Sequence, residues 1–324
     1  MASLLSGFAP SRVLSAEQGA TGSNEPSAAA TAEPRSLEAW HERLSRTPVP
    51  KKGCFTTDYP STEWKEIPCT TAPNQPYPPG RRPPPDVVGG GGSNDISAQA
   101  PSGSISTAVG SFDSATGVTT ESGNVGGKPP AVANSFSLQL NTNVFTNNNN
   151  NVPACNGASN PSACQGWQQF IYSNNSTTAF IQYWLLSFNT TCPAGWQSFA
   201  YPGPTDTSCF INSAATASVG AQPTAANLGQ LRLSGTANAA GDQVVISVGG
   251  SAKSTPGDNR VNLAGNWQVA EFNVFGDCCN SEANFDNAPT IVARTMITYG
   301  GSAPPNCVAQ SFTGETNNCT AARF

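Results

Sequence analysis

The chain has 324 residues, of which only 11% are Asp, Glu, Lys or Arg, and its 15 basic and 20 acidic residues leave a formal net charge of −5. An average soluble domain carries about 25% of such residues, so a coiled coil, a long-helix protein and a charge-rich disordered chain are excluded, and no basic stripe exists to follow nucleic-acid phosphates. The single histidine, His41, rules out a multi-histidine metal site and leaves one residue for any His-dependent catalytic pair.

Residues 1–35 are Ala, Ser, Gly and Glu with little to bury, which predicts a disordered leader. Residues 36–52 carry the one helical pattern: Leu37, Trp40 and Leu44 share a face, Ser36 can cap the N-terminus and Pro48 stops the run. Such a short amphipathic helix is either an arm docked on the main domain or a propeptide element, with Lys51-Lys52 as a candidate processing site. His41 beside Trp40 reads as a surface or packing residue. Residues 53–95 read as a Cys54/Cys69 loop followed by a spacer, proline-rich from Pro73 to Pro85 and flexible at Gly89 to Gly92. Neither that glycine run nor Gly126-Gly127-Lys128, which meets Pro129, builds a phosphate cradle, so no nucleotide cofactor is expected.

Residues 96–324 read as strands. Phe136, Leu138 and Leu140 alternate with Ser137 and Gln139, Leu231 and Leu233 form a hairpin with Val244 to Val248 across Gly241-Asp242, and Thr290 to Thr298 alternates again. The runs Ala179 to Leu186 and Trp267 to Phe275 are apolar on both faces, as in strands with both sides covered. Short strands, frequent turns and a single helix predict an all-β fold, an antiparallel two-sheet β-sandwich.

Ten cysteines without zinc-type spacing predict disulfides and a secreted, extracellular protein. Cys54 pairs with Cys69, Cys155 with Cys164 and Cys192 with Cys209, while the adjacent Cys278 and Cys279 are expected to pair with Cys307 and Cys319 in either order. Asn174, Asn175, Asn189 and Asn318 open glycosylation sequons. Met1 to Ala20 shows no basic n-region or clear cleavage box, and no run approaches the ~20 apolar residues of a membrane span.

Chemistry points first to Glu271. It is a carboxylate inside the most hydrophobic strand, on the face of Trp267, Val269, Asn273 and Phe275 by period two, and it persists there only with a partner or a function. The structural alternative is a hydrogen bond to a neighbouring Asn, Gln or Tyr; the functional one is a general base. Gln168 beside Phe170 and Tyr172, and Gln182 between Phe180 and Trp184, are either half-exposed polar positions or amide donors within an aromatic platform. Gln182, Tyr183, Trp184, Trp267 and Asn273 are the substrate-binding candidates; Tyr183, Trp184, Trp196 and Trp267 would stack a sugar if the module binds polysaccharide instead of polypeptide. Asp277, Asn280, Glu282, Asn284 and Asp286 put oxygen atoms at close spacing in a polar loop but match no EF-hand, and no metal is expected.

The stretch Asn266 to Asp277 resembles the glutamate-bearing strand of the eqolisin-type glutamic peptidases, with Ala270-Glu271-Phe272 similar to that family's Ala-Glu-Trp/Phe. Cys164 followed by Trp167-Gln168 is similar to the Cys segment leading to the catalytic glutamine. Phe180 to Leu186 falls where the family has Tyr-Glu-Trp-Tyr-Pro, with Gln182 in place of that glutamate. Phe136 to Asn141 lacks the family's Trp, Asp and glycines, and Phe275 replaces a later acid. The resemblance implies a concanavalin-like or jelly-roll sandwich and a secreted acid endopeptidase without cofactor. It also implies the roles: Glu271 takes a proton from water and Gln168 donates to the oxyanion.

Overall fold

The computed structural model describes residues 36–79, 95–200, 207–286, 290–309, 313–317 and 319. The predicted leader, the Gly89 to Gly92 run and Asn318 lie outside them. One helix, α1 (Leu37–Leu44), precedes β1 (Cys54–Asp58), β2 (Lys65–Ile67), β3 (Ile96–Gln99), β4 (Ile105–Thr116), β5 (Glu121–Val125) and β6 (Lys128–Ala133). Next come β7 (Phe136–Thr142), β8 (Phe145–Thr146), β9 (Gln165–Ser173), β10 (Thr178–Leu186), β11 (Gln197–Ala200) and β12 (Thr207–Asn212). The hairpin pair β13 (Leu231–Asn238) and β14 (Gly241–Val248) leads to β15 (Ser251–Gly257) and β16 (Val269–Gly276). The chain closes with β17 (Glu282–Phe285), β18 (Thr290–Tyr299), β19 (Asn306–Ala309) and β20 (Thr316–Asn317).

These strands form an antiparallel sandwich. A seven-stranded sheet in the order β18-β4-β13-β14-β15-β1-β2 packs on a nine-stranded sheet whose main path is β11-β12-β10-β9-β7-β16-β3-β19, with β8 beside β9. A small sheet, β20-β17-β5-β6, holds the one parallel pair among the described residues, β17 with β20. Leu231, Leu233, Val244 and Ile246 of the first sheet meet Leu138, Leu140, Phe170, Tyr172 and Phe272 of the second in the main core. The doubly apolar runs become β10 and β16, each flanked by strands on both sides. Their second apolar face is the outer face of the nine-stranded sheet.

The chain before residue 96 is more than an appendage. Cys54–Asp58 is inserted between β15 and β2 as part of the seven-stranded sheet, so the sandwich begins ahead of the predicted boundary. The helix, capped by Ser36 Oγ, lays Trp40 and Leu44 on Val245 and Ala252 of that sheet's outer face, and Glu38 pairs with Arg232. His41 is fixed there by Gly249 O, on the side of the sandwich away from Glu271. From the Cys54–Cys69 disulfide the chain crosses to the other side, where Thr70 bridges Ala215. Residues 73–78 then run over the outer face of the nine-stranded sheet as a strap, so this part of the predicted spacer is a fixed element; its continuation to Pro85 lies outside the described residues.

The first three disulfides join the expected partners. The last does not: Cys278 bonds its neighbour Cys279, and Cys307 and Cys319 are free thiols. The backbone turns sharply after β16, with Cys279 and Asn280 both at positive φ, which brings the two neighbouring sulfurs together. Asn174 is buried, its amide donating to the carbonyls of Asn134 and Pro223, so this sequon asparagine is a structural residue.

Candidate active site

Strand register defines the site. Glu271 of β16 stands opposite Asn141 of β7, Asn141 opposite Gln169 of β9, and Gln169 opposite Gln182 of β10. The line extends to Asn212 of β12 on one side and Ser97 of β3 on the other. Directly opposed residues share a face, so six adjacent strands each contribute one polar side chain to a single row on the outer face of the nine-stranded sheet.

Apolar residues wall this row on both sides. Two residues along the strands, and so on the same face, lie Trp184, Trp167, Phe210 and Val269, which pack together. In the other direction lie Phe180 and Ile171, which pack with Tyr77 of the strap. Glu271, Asn141, Gln169 and Gln182 are therefore all buried. A buried polar row survives only if its members satisfy one another.

They do so with a defined polarity. The Trp184 indole N–H can only donate, and it donates to Gln169 Oε1 at 2.9 Å and to Gln182 Oε1 at 3.1 Å; the first bond turns Gln169 Nε2 toward β7. That amide donates to Asn141 Oδ1 at 2.9 Å and to Gln139 Oε1 at 3.2 Å. Asn141 Nδ2 then donates to Glu271 Oε2 at 3.1 Å. In the other direction Gln139 Nε2 reaches Ser137 Oγ at 3.0 Å and, more weakly at 3.5 Å, Glu315 Oε2. A chain of side-chain amides thus connects two buried carboxylates, Glu271 and Glu315, through Gln169. Burial pushes Glu315 up to about 7.

Gln168 is not part of this row. Alternation along β9 sends it to the opposite face with Phe170 and Tyr172, into the space between the sheets, where Asp242 and Tyr183 are its neighbours. It cannot share a substrate with Glu271, because the sheet itself separates them. Gln169, one residue on, faces Glu271. Burial, more than any nearby charge, raises Asp242 to about 8 in that interior cluster.

The remaining candidates divide in the same way. Gln182 lies in the row and Trp184 just beside it, whereas Tyr183 points between the sheets. Trp267 is also on the wrong face, stacked at 5.6 Å on Phe170 in the main core, because a 3-10 turn at Leu263–Gly265 precedes β16 and the period-two count fails before Val269. Asn273 shares the face of Glu271, is half-buried and donates to Asp95 at 2.7 Å. Trp196 is half-buried on the main core rather than set on an open platform. Of the loop acids, Asp277 is buried against Ser173 and Gly126 while Asp286 binds Thr119, so they do not converge. Among the described residues no group of three or more His, Cys, Asp or Glu side chains is placed to hold a metal ion.

Sequence reasoning missed Asn141, Gln139 and Gln169. The available signal was the alternation of Gln139 and Asn141 with Leu138 and Leu140, which reads as a solvent-facing edge until the outer face is known to be covered.

No family model, curated protein or solved structure matches the chain. No described helix is long and apolar enough to cross a membrane.

Proposed function

We propose that this protein is an acid endopeptidase of the glutamic type, acting outside the cytosol, with Glu271 as general base and Gln169 as oxyanion donor. The observation that carries the proposal is the placement of Glu271 and Gln169 in one buried row with Asn141 between them. Glu271 takes a proton from a water set against the scissile carbonyl, and Asn141 Nδ2 orients the carboxylate through Oε2. Gln169 supplies an N–H to the developing oxyanion. Both of its N–H groups are engaged in this structure, and the longer bond, to Gln139, is the one to be released when substrate enters. A peptide chain suits the face because the walls beside the row are apolar while the row offers amides to a main chain. The four disulfides among the described residues suit an oxidising compartment.

A sugar-stacking module is less well supported, since Tyr183, Trp184 and Trp267 are fully buried and present no ring to solvent. The test is cleavage of denatured casein across acidic to neutral pH by the disulfide-intact protein. Cleavage that vanishes in Glu271→Gln is expected; no cleavage at any pH, or full activity in Glu271→Gln, overturns the proposal.

A further inference from the structure

The strap over the polar row is bound as a peptide would be. Gln182 Nε2 donates to Gln75 O and Gln182 Oε1 accepts from Tyr77 N, both at 2.8 Å, so one side-chain amide clamps the main chain on either side of Pro76. Among residues 76–79 only Tyr77 has a backbone N–H, and it is the one Gln182 takes. Asn212 Nδ2 holds Pro73 O at 2.9 Å and Gly314 N holds Pro78 O at 2.9 Å. None of these bonds depends on the identity of a strap side chain.

Tyr77 is the exception that reads sequence. Its ring is fully buried against Ile171, Phe180, Ala215 and the Cys278–Cys279 disulfide, with the Phe180 ring 6.2 Å away. Its hydroxyl makes no hydrogen bond of normal geometry and comes close to Ser173 and Asp277 at the polar floor of the pocket.

We propose that this face is a binding channel for extended, proline-rich polypeptide with an aromatic residue between prolines, and that residues 73–79 fill it in cis. The amides of Gln182 and Asn212 receive the main chain, and the pocket bounded by Ile171, Phe180 and the vicinal disulfide receives the aromatic ring. The inference names the peptide class for the site proposed above and rests on that proposal only for the fate of what binds. The channel lies beside Gln169 on the same face, so an incoming peptide must displace the strap to reach the row.

The test uses the full chain and the capped peptide Pro-Asn-Gln-Pro-Tyr-Pro-Pro, copied from residues 73–79. Tyr77→Ala opens the pocket and should bind this peptide by calorimetry, whereas the wild type, filled in cis, should bind at least about tenfold more weakly. A peptide with Ala for Tyr should lose at least about tenfold on the variant. Equal binding of both peptides, or of neither, to the folded variant overturns the proposal. If Tyr77→Ala does not fold alone, the tyrosine peptide in excess during refolding should restore its far-ultraviolet dichroism, and failure to restore it also counts against the channel. Binding without casein cleavage would remove the peptidase and leave the channel; casein cleavage by the wild type without peptide binding would do the reverse.

Discussion

Glu271 and Gln169 lie two strands apart on one register line, and Asn141 joins them by donating to the first and accepting from the second. At ordinary strand spacing their Cα atoms are about 10 Å apart, a gap that two long side chains can close on one carbonyl. Gln169→Ala should therefore lower casein cleavage by about two to three orders of magnitude, as loss of an oxyanion donor does, and Glu271→Gln by at least as much. Gln168→Ala, on the far face, should keep its turnover once corrected for folded fraction. Loss of activity in Gln168→Ala with retention in Gln169→Ala would reverse the assignment.

The choice between the two glutamines shows where sequence stops informing. Trp167-Gln168-Gln169-Phe170 places one glutamine on each face of a strand whose faces are both apolar, so no amphipathic contrast tells them apart. The strand itself, its central position and the burial of Glu271 were legible, because an apolar run with one acid is a local property; the burial of Asp242, Asp277 and Glu315, which sit in turn-like sequence, was not. Which glutamine meets that acid depends on Asn141, and Asn141 is brought to the spot by pairing between distant segments. The proline-rich strap was illegible for a related reason: its missing N–H groups mark it as unable to join a sheet, yet side-chain amides hold it across one.

The cysteine assignment is checked by thiol alkylation of the unreduced protein. Under denaturing, non-reducing conditions labels are expected at Cys307 and Cys319 and at no other cysteine. In the native state Cys307, which is exposed, should react first; Cys319 is half-buried and burial raises its thiol above the ordinary value, which leaves less thiolate to react. A tryptic peptide holding Cys278 and Cys279 should run two hydrogens lighter than its reduced form. A bond from Cys278 or Cys279 to Cys307 or Cys319 in the mass spectrum would refute the vicinal pairing, and a Cys307–Cys319 bond would refute the two free thiols.

Packing between the sheets brings side chains of one sheet against glycines of the other, two of them under aromatic rings. A Cβ on Gly110 of β4 would overlap the Phe272 ring, and one on Gly235 of β13 would overlap the Phe170 ring, so each glycine lets an aromatic side chain rest on backbone. Gly110→Ala and Gly235→Ala should each destabilise the fold by about 1–3 kcal/mol or more, read as a lower urea midpoint. Gly300→Ala is the control, since nothing lies near the position its Cβ would take. Equal midpoints for the three variants would mean that the sheets can separate to admit a methyl group.

Four buried carboxylates set the direction of pH dependence. Burial raises Asp242 and Glu121 to about 8, raises Glu315 to about 7, and raises Asp277 as well. A carboxyl group whose folded value exceeds its unfolded value binds its proton more tightly in the native state. Its contribution is complete below about pH 4 and is lost as the pH rises through 7 to 8. Each group that is protonated only when folded lowers stability by about 1.4 kcal/mol per pH unit within that window. The melting temperature should therefore fall from mildly acidic to mildly alkaline buffer. Asp242→Asn, which keeps the shape and cannot ionise, should flatten the fall without abolishing it, because Glu121, Glu315 and Asp277 still titrate. A melting temperature that rises from acid to pH 8 would mean that these carboxylates are ionised in the fold, and the case for an acid-working enzyme would lose its thermodynamic side. With the expected sign, the range in which Gln169 and Glu271 must work is also the range in which the fold that carries them is most stable.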